Sequence, residues 1–181
     1  SEVQAALKLL ETADLPAARS TQAPDIFIVL GEAWWRDPSD DHSPLDRLVQ
    51  AGFAEGQVIS PVYGGTTPNA EFEVLTAVPA KSFRSGIIPY QHYLQYFTDE
   101  MRSLPRLLGG IGYVSHAYHN FKPRFWLRDQ VYPRFGFATF DRMDSMQIKM
   151  QDNGWPEDAG LYDKVRQRLD LAGPQFHFIV T

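Results

Sequence analysis

The sequence predicts an α/β fold, a largely parallel sheet flanked by helices, and three observations carry that expectation. Residues 25–30 form a continuous apolar run, the pattern of a strand buried on both faces of a parallel sheet. Residues 111–118 and 175–180 read as further strands. Helical segments fall between these runs, and strands alternating with helices favour a parallel sheet.

The elements follow in order. Residues 1–24 are expected to form an amphipathic helix, with Val3, Ala6, Leu7 and Leu10 at helical spacing, and then a linker rich in Ala, Ser, Thr and Pro. Residues 43–51 read as a helix with Ser43 as its cap and Pro44 at the first position. Residues 57–62 read as a short strand leading into Gly64-Gly65-Thr66-Thr67 and a helix to about residue 77. Residues 79–96 are irregular and rich in aromatic and polar groups, the length of a functional insertion or lid rather than a link. A helix over residues 97–108 stops at Gly109-Gly110 and feeds the strand at 111–118. Residues 161–169 form a helix with a basic outer face before the last strand. A chain of 181 residues suits one domain or a large piece of one, and its apolar finish reads as a piece.

Composition narrows the function. The formal net charge is −5, which disfavours general nucleic-acid binding, since that needs a basic face to neutralise phosphates. With no cysteine there is no disulfide, thiolate metal site or cysteine nucleophile. The motifs Gly-x-Ser-x-Gly, Walker A and His-Glu-x-x-His are absent, which removes several hydrolase and nucleotide-binding classes.

Ligands of parallel sheets gather beyond the carboxyl ends of the strands. Glu32 follows the first strand, Thr67 the second and His119 the third, so a parallel sheet brings all three to one edge. Glu32 there is either a cation ligand or a solvated loop carboxylate. Thr67 is expected at a helix N-cap, with Pro68 at the first position. Its hydroxyl either caps the helix or, amid free N–H groups and the positive dipole end, serves phosphate chemistry. Lys122, Arg124 and Arg128 cluster in an acidic chain, where an arginine fork can grip phosphate and Trp126 can supply an apolar wall. The competing reading makes that stretch a loop with aromatic plugs and solvated cations. Asp40-Asp41 reads as a polar loop, and Glu71 and Glu73 lie on different helix faces, so neither pair makes a general acid–base dyad. His42, His92, His116 and His177 have no partner legible in the sequence.

Three ordered motifs resemble one family. They are Pro24-Asp25-Ile26-Phe27-Ile28-Val29-Leu30-Gly31-Glu32, then Gly65-Thr66-Thr67-Pro68-Asn69-Ala70-Glu71-Phe72, then His119 through Arg128. Phe125-Trp126-Leu127-Arg128-Asp129, followed by Phe135-Gly136-Phe137, extends the last. Together they resemble the lipoteichoic acid synthase-like phosphoglycerol transferases, sulfatase-fold enzymes of the alkaline phosphatase superfamily. The resemblance implies that Glu32 is a metal ligand and that Thr67 is both nucleophile and metal ligand, with Thr66 as the alternative one residue earlier. It implies that His119, Trp126 and Arg128 line a glycerol-phosphate pocket. Phe121 stands where some members carry a polar residue, which leaves the head group open. One divalent cation is implied, Mn²⁺ or Mg²⁺, with Zn²⁺ also compatible with such ligands.

The same resemblance implies a transferase that moves phosphoglycerol, or a related phospho-group, from an anionic phospholipid to a glycan or polymer through a phospho-threonine. It implies an extracytoplasmic catalytic domain anchored in the cell membrane by an upstream segment, with no nucleic-acid partner. Residues 25–181 would be the N-terminal part of that domain, the remaining metal ligands and a pocket histidine coming from later sequence. On that basis these 181 residues alone are expected to bind metal poorly and to be inactive. A phosphodiesterase or sulfatase of the same fold is the first alternative, although Thr67-Pro68-Asn69-Ala70-Glu71 is not the Cys/Ser-x-Pro-x-Arg motif of sulfatases. A non-catalytic binding domain that has kept the fold is the second.

Overall fold

The computed structural model describes residues 23–32, 44–62 and 65–181. The amphipathic helix expected at the start, Ser43, the Asp40-Asp41 loop, His42 and Gly64 lie outside the described residues.

Among the described residues four strands, β1 (Ile26–Leu30), β2 (Val114–His119), β3 (Thr139–Arg142) and β4 (Gln175–Val180), pair in the order β1-β4-β2-β3, every pair parallel. The helices are α1 (Pro44–Gln50), α2 (Thr67–Thr76), α3 (Pro89–His92), α4 (Leu104–Gly110), α5 (Arg128–Arg134) and α6 (Ala159–Arg166). The expected α/β class with a parallel sheet is thus what forms.

Alternation along the strands builds two faces. Ile26, Ile28 and Leu30, with Ala117, Phe140, Phe176, Phe178 and Val180, meet Phe72, Leu75, Val131, Tyr132 and Phe135 in the main core. Aromatic edges lock this layer: the Tyr132 ring meets Phe140 at 4.8 Å and 86°, and Phe178 at 6.1 Å and 88°. On the other face Tyr118 and Ile179 pack with Leu161 and Val165 of α6.

Several sequence expectations need correction. β1 packs on one face only: Ile26, Ile28 and Leu30 are partly buried against the core, while Phe27 and Val29 on the other face stay 47% and 48% exposed. No strand forms over residues 57–62; Val58 and Ile59 are 91% and 98% exposed, and no neighbour among the described residues offers the backbone ladder a strand requires. The helix expected over residues 97–108 starts only at Leu104. Pro105 near its start cannot follow an earlier helical turn, and Ser103 caps it, accepting from the Arg106 N–H at 3.4 Å. β3 and α5 were not expected at all.

The second face also supplies partners for two histidines. His177 pairs with the Tyr118 hydroxyl at 2.8 Å and stacks on Phe27 at 4.7 Å. His116 sits between Thr139 (2.8 Å) and Gln175 (2.9 Å). Burial and the neighbouring His116 push His177 down to about 4, against the opposing pull of Asp25. A histidine depressed in the fold is neutral there while the unfolded chain takes up protons below its ordinary value. Stability is therefore fully present above about pH 6.5 and falls as pH drops toward 4. Urea unfolding at pH 7 and pH 4.5 should show a loss of about 1–3 kcal/mol at the lower pH, reduced in His177→Phe. An unchanged slope in that variant would remove His177 as the cause.

Candidate active site

The site lies at the carboxyl edge of the sheet, beyond β1, β2 and β4. The ends of β1 and β4 are tied there by the Thr181 N–H donating to the Leu30 carbonyl (3.1 Å) and the Glu32 N–H to the Thr181 hydroxyl (3.1 Å).

Arg128 is its centre, at the first position of α5 and fully buried. The chain reaches it through Trp126 and Leu127 at φ 60° and 58°, left-handed conformations that cost about 1–2 kcal/mol each for residues with a side chain. The contacts of Arg128 hold that turn. Nε and Nη2 donate to Glu71 Oε1 at 3.0 and 2.5 Å. Nη2 also reaches Glu32 Oε1 at 3.0 Å, and Nη1 reaches His119 Nε2 at 2.9 Å. The Tyr132 hydroxyl, one turn along α5, donates to Glu71 Oε2 at 2.7 Å.

The charges follow from this network. Burial alone would lower the Arg128 guanidinium, but Glu71, Tyr132 and Glu32 carry it above its ordinary value, so it stays cationic. His119 Nδ1 faces the Val180 carbonyl at 3.0 Å and must donate to it. Its Nε2 then keeps a lone pair for Arg128. Burial, and next the Arg128 charge, push His119 down to about 4, so the ring is neutral at pH 7. Burial raises Glu32; Arg128 and a hydrogen bond from Thr67 oppose the rise, while Glu71 adds to it.

Thr67 differs by one position from its expected place. Thr66 is the N-cap of α2, Thr67 the first helical residue and Pro68 the second, since the Thr66 carbonyl already accepts from the Asn69 N–H at 2.9 Å. Thr67 is therefore not the helix cap, and its hydroxyl lies beside the Glu32 carboxylate at the positive end of a ten-residue helix. Gly65, at φ 88°, supplies the left-handed turn before it.

Glu32, Thr67, His119 and Arg128 are thus brought together as expected. Trp126 packs against the main core beside Phe125, ring centroids 5.1 Å apart, and Phe125 stands at the adjoining cavity. Lys122 and Arg124 are exposed. Glu71 is the residue that sequence reasoning passed over; it stands in the Ala70-Glu71-Phe72 motif, but its partner lies 57 residues away. Glu73 points elsewhere and accepts from the Ala80 N–H, so the two glutamates indeed form no dyad.

The donors suit a hard cation in kind. A carboxylate raised by burial and by neighbouring negative charge adjoins a hydroxyl, both oxygen ligands. They make a partial set: among the described residues no three His, Asp or Glu side chains are placed to hold a metal.

Comparison with known proteins identifies the family. The sulfatase family pattern matches residues 24–181, and the chain belongs to the sulfatase family. It is 35% identical over 177 residues to a Rhizobium meliloti (strain 1021) protein to which cyclic beta-1,2-glucan modification is ascribed, covering 92% of this chain and 26% of that protein. Among solved structures, the Streptococcus pyogenes phosphoglycerol transferase GacH, in complex with sn-glycerol-1-phosphate, superposes with a TM-score of 0.67 at 20% identity. That match covers 99% of this chain and 50% of GacH. The Listeria monocytogenes lipoteichoic acid synthase LtaP gives a TM-score of 0.56 at 23% identity over 67% of this chain and 29% of its own. At such identities these two show the shared fold. The chain spans half or less of the length of each of these three proteins.

Proposed function

We propose that this chain carries the nucleophile half of a phospho-group transferase, one that moves phosphoglycerol from an anionic phospholipid to a glucan. The observation that carries the reading is the Thr67 hydroxyl at a helix N-terminus, beside Glu32, whose carboxylate is held by the buried Arg128. The glycerol-phosphate bound by GacH and the glucan named for the Rhizobium relative support the choice of donor and acceptor.

In the first step Thr67 Oγ attacks the donor phosphorus and the bond from phosphorus to the diacylglycerol oxygen breaks. The Thr67 proton ends on that leaving alcohol, and the phosphoglycerol is left as a phosphodiester of Thr67. In the second step a sugar hydroxyl attacks the same phosphorus, its proton returning to Thr67. The N–H groups at the start of α2 and the Arg128 charge stabilise the negative charge gathering on the phosphoryl oxygens. Glu32 and Thr67 would hold a divalent cation, Mn²⁺ or Mg²⁺, which when bound lowers the pKa of the hydroxyl and offsets phosphate charge. The enzyme would work on the outer side of the cell membrane, where the lipid donor is presented. Among the described residues no helix is long and apolar enough to cross that membrane.

The test is intact mass of the complete protein after incubation with phosphatidylglycerol, with and without cyclic β-1,2-glucan. A phosphoglycerol adduct that disappears when glucan is added, with phosphoglycerol-glucan formed, is the expected result; chelation should abolish both and added Mn²⁺ or Mg²⁺ restore them. Lipid turnover with free glycerol phosphate as the only product would make it a hydrolase instead. Neither adduct nor turnover would favour a binding domain.

A further inference from the structure

A cavity of about 780 Å³ opens from the site, walled on its inner side by Glu32 and His119 and farther out by Phe121, Phe125, Trp155 and Asp158. Its size is that of a small-ligand pocket. Nothing in the phosphate chemistry calls for this outer part.

Aromatic rings lead outward from the site in sequence. The His119 ring meets Phe121 at 6.4 Å and 67°; Phe121 stacks on Trp155 at 5.7 Å and 30° and meets Phe125 edge-on at 5.5 Å. Phe121 thus covers one face of the indole, while Trp155 as a whole stays 61% exposed. Exposed tryptophan is usually adventitious, but this one is presented by a small built hairpin. Met150 bridges Pro156 in antiparallel fashion. The Gln151 N–H donates to the Trp155 carbonyl at 2.7 Å, and the Glu157 N–H to the Lys149 carbonyl at 2.8 Å. Gly154 turns the tip at φ 82°, and the Asn153 side chain accepts from the Trp155 N–H at 3.0 Å. The backbone on both sides of Trp155 is therefore fixed and the ring pre-set.

We propose that the Trp155 hairpin and Phe125 form a platform for a pyranose ring of the acceptor glycan, beside the phosphorus held at Thr67. The C–H face of a neutral sugar suits a flat aromatic surface, and its hydroxyls suit the carboxamides of Gln151 and Asn153 and the carboxylate of Asp158 that line the same cavity. A diacylglycerol tail would take those polar groups out of water while adding no partner to the ones they have within the protein, and a second phosphate would meet Asp158 and Glu32 as like charges. The platform rests on the transfer reading for its acceptor, but not for its binding.

The probe is cyclic β-1,2-glucan, titrated by calorimetry into the complete protein with no lipid present. Trp155→Ala should weaken its Kd by about tenfold or more, and Trp155→Phe, which keeps a flat ring, by markedly less. Thermal unfolding of both variants checks that the fold persists. Phe125→Ala provides a second loss on a different element. Glucan binding unchanged in Trp155→Ala and in Phe125→Ala overturns the platform, as does absence of binding by the wild type. Binding that depends on Trp155, in a protein that forms no adduct with phosphatidylglycerol, overturns the transferase reading and leaves the platform standing.

Discussion

Thr67→Ala should abolish the phosphoglycerol adduct and lower transfer by about 10⁴-fold or more, the scale seen when a covalent nucleophile is removed. Donor binding should change far less, because the α2 N–H groups, Arg128 and the rest of the pocket remain. Thr67→Ser keeps the oxygen and should keep much of the activity. Thr66→Ala decides the register: it alters the residue at the cap, one position earlier, and should leave the adduct in place. The structure separates the two threonines physically. Thr66 has φ −91° and ψ 55° and ends the preceding turn, whereas Thr67 is helical and its hydroxyl meets Glu32. If Thr66→Ala removes the adduct and Thr67→Ala does not, the nucleophile is assigned to the wrong residue. Digestion of the trapped wild-type adduct and sequencing of the labelled peptide would settle the same point without mutation.

Much of the fold was legible because its signals are local. The apolar run of β1, the Thr-Thr-Pro start of α2 and the largely apolar β4 need no knowledge of their neighbours. The convergence of Glu32 and His119 was legible too, since a parallel sheet places residues after its strands at one edge, whereas Thr67 reaches that edge from a loop and not from the strand expected over residues 57–62. What failed was nonlocal. β3 is four residues long, with no alternation to mark it apart from a loop, and it exists because Ala117 and Tyr118 of β2 lie opposite Phe140 and Asp141. Residues 57–62 carry a convincing strand pattern and lack that kind of neighbour among the described residues. The helical start of α5 was hidden by Trp126 and Leu127, whose left-handed backbone no propensity scale anticipates for such residues. Glu71 was overlooked for the opposite reason: a glutamate in the first turns of a helix reads as a solvated partner of the dipole, and only the fold shows it sealed under Arg128.

That sealed pair carries the largest expected effect on stability. Arg128→Met leaves Glu71 fully buried without its cation, and Glu71→Leu leaves Arg128 buried with only the part-exposed Glu32 as counter-ion. Each should cost about 3–5 kcal/mol in urea unfolding, the range for breaking one partner of a buried ion pair. The double variant Glu71→Leu/Arg128→Met should recover a good part of that loss, because an apolar pair of similar volume carries no stranded charge. Tyr132 and His119 each lose a partner in it and Glu32 loses its counter-ion, so recovery should fall short by about 1–3 kcal/mol or more. Activity should not recover at all. Arg128 also fixes the His119 lone pair and holds the Glu32 carboxylate against Thr67, and none of that returns with apolar packing. A double variant that is stable and still transfers phosphoglycerol would make the ion pair a folding device and nothing more. One that is stable and inert would show why a buried charge is kept where a methionine would pack as well: the guanidinium holds the carboxylate that faces the nucleophile.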